Sequence, residues 1–227
     1  IATLADQKLN DHHSAIELWH ELLAETPEND KVWTALSQLY LQNQMWEELS
    51  TLYADRSAHL KGQIEALIWM KKRAELFADQ LDDEKRAIDA WWRVLHLSPE
   101  DTQAESYLRA LFIDQKSWSD LEELFALRSE REQFVALLVG KLTEISEPDE
   151  KLHLLGRIAH NYCHHLDQVD EAIEAWETIL EIDPEHDEVA EYLVPFYRER
   201  GEWVKLDRSL EVIYSQSETP SIELIQD

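Results

Sequence analysis

Residues 172–184 read Ala172-Ile173-Glu174-Ala175-Trp176-Glu177-Thr178-Ile179-Leu180-Glu181-Ile182-Asp183-Pro184. Ala172, Trp176 and Ile179 fall four and three apart, the spacing that lines one face of a helix, and the proline stops the run. The same signature opens at Ala15-Ile16 with Trp19 and Pro27, and at Ala87-Ile88 with Trp91 and Pro99. Each copy is followed by a tryptophan that starts another apolar run: Trp46, Trp118 and Trp203. The offsets are constant, 72 residues from the first copy to the second and 85 from the second to the third. The chain is therefore an internal repeat, in which stacking buries the apolar faces and most large residues have a structural job first.

Working outward, the offsets place Ile1-Ala2 over Arg73-Ala74 and Ile158-Ala159, with Leu9, Leu81 and Leu166 in register. Three units follow, about 1–72, 73–157 and 158–227, with an array over 1–214 and a loosely ordered tail over 215–227. In that tail Ile222, Leu224 and Ile225 could dock. Each unit holds four short helical stretches joined by polar turns. Gln42-Asn43-Gln44, Asp114-Gln115-Lys116 and Glu199-Arg200-Gly201 are matching turns of the length that joins antiparallel helices. Ser98-Pro99-Glu100-Asp101 and Asp183-Pro184-Glu185 end one helix and supply caps and early acidic residues for the next. The 13 residues by which the offsets differ lie between Arg128 and Asp149, where Phe134, Leu137, Leu138 and Leu142 form a stripe that predicts an added turn or a separate helix.

Composition narrows the class. Four glycines and six prolines in 227 residues leave little turn chemistry for a β fold. The 21 Lys and Arg against 48 Asp and Glu give a net charge of −27. That field opposes phosphate backbones and anionic lipid and favours basic partners, although acidity also simply keeps an extended surface soluble. No apolar run is long enough to span a bilayer. The lone Cys163 excludes an internal disulfide framework and a multi-cysteine zinc site. A reducing cytoplasm is the simplest home, with a disulfide-free periplasmic array as the alternative. The sequence opens on Ile1 inside a repeat and reads as a fragment of a longer protein.

The repeat positions resemble those of the tetratricopeptide family. Leu155, Ile158, Ala159 and Tyr162, followed by Ala172, Trp176, Ile179 and Pro184, match its helix pair apart from one extra turn residue. Trp33, Leu36, Ser37 and Tyr40 with Trp46, Leu49 and Tyr53 match next, then Arg73, Ala74, Phe77, Ala87, Trp91 and Pro99. Leu49, Leu121 and Leu206 stand where the family prefers alanine, and Glu105 replaces the aromatic at Trp33. The nine tryptophans are also similar to the half-a-TPR repeats of RNA-processing scaffolds. The resemblance implies an all-α, right-handed α-solenoid (superhelix) of about thirteen antiparallel helices, non-catalytic, binding a peptide or helix of another protein along the inner faces of the first helices.

Carried over position by position, that resemblance implies a groove lined by Lys31, Thr34, Gln38, Leu41 and Gln42, then Ile68, Lys71, Glu75, Ala78 and Asp79. Gln103, Ser106, Ala110, Ile113 and Asp114 follow, then His153, Gly156, His160, Cys163 and His164, and finally Glu188, Glu191, Pro195, Arg198 and Glu199. Leu41, Ile68, Ala110 and Ile113 would be apolar anchors, and the acidic members select a basic ligand, with ion pairs giving steering more than affinity. The clamp by which some relatives hold a carboxylate is absent. The rivals are an architectural spacer or self-association module and a half-a-TPR scaffold without direct RNA contact.

Other chemistry is thin. His160, Cys163 and His164 share one helix face at the spacing a Zn²⁺ or Cu ion could use, but no HExxH or CxxC pattern accompanies them, so the expected reading is a histidine-rich wall and no metal or cofactor. Asp82-Asp83 and Asp170-Glu171 sit at helix starts, where carboxylates favour the helix dipole. Trp69 and Trp92 read as packing between neighbouring repeats.

Overall fold

Three equivalent turns close in the same way. The amides of Met45, Ser117 and Glu202 donate to the carbonyls of Tyr40, Phe112 and Tyr197, each at 2.9 Å. Gln44, Lys116 and Gly201, at matching repeat positions, are all left-handed, with φ of 55°, 54° and 68°. This is the helix-ending geometry in which a six-residue closure satisfies carbonyls that the last turn leaves open. It returns the chain antiparallel within a few residues.

A computed structural model describes residues 12–60 and 62–216. The alignment of Ile1-Ala2 and Leu9, and the tail residues Ile222, Leu224 and Ile225, lie outside them. The described residues form twelve helices and no strand. They are α1 (His12–Glu25), α2 (Asp30–Gln42), α3 (Trp46–His59), α4 (Gln63–Asp79), α5 (Glu84–Leu97), α6 (Thr102–Asp114), α7 (Trp118–Leu127), α8 (Arg131–Leu142), α9 (Pro148–His164), α10 (Val169–Ile182), α11 (Asp187–Arg200) and α12 (Trp203–Gln216). The described residues make two compact units, divided between Leu124 and Phe125. Within each, packing runs between consecutive helices, which is the quasi-one-dimensional logic of an α-solenoid.

In the first unit Val32, Trp33, Leu36 and Tyr40 of α2 pack with Leu49, Leu52 and Tyr53 of α3 and Leu76 of α4. Ile16, Trp19, Trp46 and Trp69 seal this cluster. Each large side chain so buried stabilises the fold by roughly 1.5–3 kcal/mol. Asn29, Asp83 and Asp101 cap α2, α5 and α6, accepting from the amides of Lys31, Arg86 and Ala104 at 3.1, 2.9 and 3.0 Å. Arg56, 3% exposed, bonds the Pro27 carbonyl and Asp30 and lies 5.3 Å from the centre of the Trp33 ring. Trp33 Nε1 donates to the same Pro27 carbonyl at 2.8 Å, so one loop acceptor fastens two helices.

In the second unit the residues that lengthen the repeat form a helix of their own, α8, with Phe134, Val135 and Leu138 buried. Leu137 and Leu142, placed on the same stripe by sequence, are only half-buried. Ala172, Ile173 and Trp176 of α10 and Val189, Ala190, Leu193 and Tyr197 of α11 are all buried, and the two helices are in contact. Asp183 caps the end of α10, whereas α11 starts at His186 with no side-chain cap. No helix among the described residues is long and apolar enough to cross a membrane.

Candidate functional site

The positions left over by the core define the faces available for recognition. In the first unit Lys31, Thr34, Gln38, Leu41 and Gln42 are all exposed on α2. On α4, Ile68 and Asp79 are exposed, and Lys71, Glu75 and Ala78 half-buried. On α6, Gln103, Ser106, Ala110 and Asp114 are exposed and Ile113 is half-buried. Polar contacts knit α4 to α6: Gln103 Nε2 donates to Glu75 Oε1 at 2.5 Å, and Lys71 pairs with Asp101. The Lys71 cation is thereby neutralised, and Glu75 and Asp79 leave this strip acidic. Ile64, one turn before Ile68, is also exposed and continues the strip. Sequence reasoning missed it, although stepping back four residues from Ile68 would have found it.

In the second unit His153, His160 and His164 are exposed on α9, with Gly156 and Cys163 half-buried. Glu188, Glu191, Pro195, Arg198 and Glu199 are exposed on α11. The rings of His160 and His164 lie 4.5 Å apart and those of His160 and His165 5.6 Å. No group of three His, Cys, Asp or Glu donors among the described residues is arranged to hold a metal ion. Burial, then the charge of Asp167, push the Cys163 thiol up, which disfavours the thiolate a metal needs. His160 and Glu188 stand where Glu75 and Gln103 stand in the first unit, so the acid has moved from the earlier helix to the later one.

Tyr192 on α11 is the second residue sequence reasoning passed over. Its ring stacks on Trp176 at 5.6 Å and 15°, and Trp176 is itself buried. The equivalent pair in the first unit, Tyr107 and Trp91, is also 5.6 Å apart. The matching spacing was the available signal. A separate cavity of about 330 Å³ lies against Leu180, Pro184, Tyr197, Lys205 and Val212. Lys205 there pairs with Glu177 and Glu202 at 2.7 and 2.8 Å, so this part of its polar lining is satisfied internally.

No protein-family model matches the chain, and no curated protein does. Solved structures align along most of it. The C-terminal part of a TPR repeat-containing protein from Cytophaga hutchinsonii is 14% identical, with 99% of this chain and 98% of that one covered and a TM-score of 0.40. The TPR2AB domain of yeast Sti1, in complex with pHSP90, is 12% identical, covering 93% and 86%, with a TM-score of 0.36. A thermophilic TPR protein from Thermus thermophilus is 15% identical, covering 80% and 88%, with a TM-score of 0.28.

Proposed function

We propose that this chain is a non-catalytic protein-interaction scaffold whose exposed first-helix faces receive a basic segment of another protein. The observation that carries the reading is the division of labour along α4 and α11. The core takes Ala74, Leu76 and Phe77 of one and Val189, Ala190, Leu193, Val194 and Tyr197 of the other, while Ile64, Ile68, Glu75 and Asp79 on the first, and Glu188, Glu191 and Glu199 on the second, lie at least partly open to solvent. A net charge of −27 extends the same preference over long range, which speeds encounter with a cationic partner and opposes nucleic acid and anionic membrane. The ligand would be an extended peptide or an amphipathic helix, with Ile64 and Ile68 as apolar anchors. A cytoplasmic setting suits the single thiol.

Titration of a fluorescent lysine- and arginine-rich peptide tests it. Binding that weakens about tenfold on joint reversal of Glu75, Asp79, Glu188 and Glu191 to lysine is expected. Affinity unchanged by that reversal overturns the reading.

A self-association reading has one observation of its own: Trp203 and Val204 at the start of α12 are 65% and 86% exposed. An apolar pair this open favours contact between copies. Sedimentation of the wild type and Trp203→Ser decides, since a monomer in both sinks it.

A further inference from the structure

Tyr192 is an aromatic ring held open to solvent. It is 55% exposed, yet its orientation is fixed by stacking on Trp176, which Phe196 also contacts at 5.9 Å. Helix geometry places Glu188, four before, and Pro195, three after, on the same face of α11 as this ring, and Glu191 is exposed on the adjoining face. Pro195 has no N–H to give the Glu191 carbonyl its usual helical bond, which favours that carbonyl as an acceptor on this stretch of α11. The arrangement combines a π face, two carboxylates and a carbonyl. In the first unit the equivalent Tyr107 is flanked by Gln103, Ser106 and Ala110, none of them charged, and Ala110 keeps its amide. On its own helix, therefore, Tyr192 has carboxylates as neighbours and Tyr107 does not, although Glu84 and Asp79 from other parts of the chain act on Tyr107 through their charge.

We propose that Tyr192, with Glu188 and Glu191, forms a subsite for an arginine side chain of the basic partner. A guanidinium is planar, stacks on an aromatic face and carries five donors in a fixed fork, so it can lie over Tyr192 while its edge meets the carboxylates and the Glu191 carbonyl. Pre-ordering of the ring by Trp176 lowers the entropic cost of that contact. The inference rests on the basic-ligand reading and adds to it a residue and a side-chain class.

The test uses the full chain and two peptides, an alternating Gly-Arg peptide and its citrulline counterpart, which keeps the shape and loses the charge. Tyr192→Leu is expected to weaken the arginine peptide about two- to fivefold and leave the citrulline peptide unchanged, while Tyr192→Phe binds both as the wild type does. Glu188→Gln with Glu191→Gln narrows the preference for arginine over citrulline. Helical circular dichroism of each variant shows that the fold is intact. Equal loss for both peptides in Tyr192→Leu, or no loss for either, overturns the subsite while the wild type's arginine binding leaves the broader reading standing. A wild type that binds neither peptide overturns both.

Discussion

The Tyr197 hydroxyl donates to Glu177 at 2.9 Å, and the same two repeat positions are joined differently in each copy. In the first copy they are Tyr40 and His20, hydrogen-bonded at 2.6 Å; in the second they are Phe112 and Trp92, with rings 6.3 Å apart. The contact between helix and helix is kept while its chemistry changes from polar to aromatic. Phe112 shows that the site accepts a ring without a hydroxyl, and Glu177 also holds Lys205. Tyr197→Phe should therefore cost only about 1 kcal/mol, the net worth of one hydrogen bond. Tyr197→Ala, which empties a buried site, should cost about 3–5 kcal/mol by analogy with other buried aromatics. Urea denaturation of the two variants measures the difference.

Alkaline pH should destabilise the protein from about pH 10 upward. Burial, more than any neighbouring charge, raises Tyr40, Tyr53 and Tyr107, and Tyr197 is raised by burial and then by its bond to Glu177. A group held above its unfolded value contributes stability that is complete below that value and is lost as pH climbs towards the folded one, because the unfolded chain releases the proton first. Ultraviolet titration of tyrosinate should show these hydroxyls ionising late in the native protein and together with unfolding. A titration curve identical in native and urea-unfolded protein would contradict this.

The left-handed turn position offers a gain. Gln44 and Lys116 adopt φ of 55° and 54°, where a side chain's Cβ crowds the backbone, and Gly201 occupies the same position without that cost. Lys116→Gly and Gln44→Gly should each raise stability by about 0.5–1 kcal/mol, less the extra freedom glycine has when unfolded. Gly201→Ala should lose about 1 kcal/mol from conformation alone, since an added Cβ would meet only the Trp203 ring, at ordinary contact distances of 3.8 and 4.0 Å. Denaturation midpoints moving the opposite way would show that these turns are not the unstrained form of one motif.

Much of this architecture is legible in the sequence because repetition samples the same physics three times. Ala15, Ala87 and Ala172 are all fully buried, as one shared pattern requires, and Trp91 and Trp176 nearly so, whereas the matching Trp19 is half-buried. Turn positions repeat to the residue. What periodicity could not give is whatever depends on a particular neighbour. Whether the extra residues near Phe134 extend a helix or make a new one turns on tertiary packing, and the structure makes α8. Leu49 and Leu121, larger than the small residue that the resembled repeat pattern prefers there, are nevertheless completely buried. The polar pairings Gln103–Glu75 and Arg86–Glu47 join residues 28 and 39 apart, beyond the reach of helix spacing. Tyr192 was hidden for the opposite reason: an aromatic at a repeat position reads as core, and only the fold shows that this one is 55% exposed.

The matched tryptophans Trp118 and Trp203 carry that lesson to an experiment. Sequence assigns them one role, opening the second helix of a pair. Trp118 is 6% exposed and Trp203 65%, so the hydrophobic contribution of one is nearly complete and that of the other mostly unrealised. Trp118→Ser should cost about 3–5 kcal/mol, the range for removing a buried large aromatic. Trp203→Ser should stay within about 0.5 kcal/mol, as for a surface substitution, because little packing is lost. Its neighbour Val204, more exposed still, should behave likewise on change to Ser. Parallel denaturation of the three variants at low protein concentration reads these values directly. Should Trp203→Ser prove as costly as Trp118→Ser, and the cost grow with protein concentration, the open tryptophan would be covered by a second copy, which is the outcome the self-association reading requires.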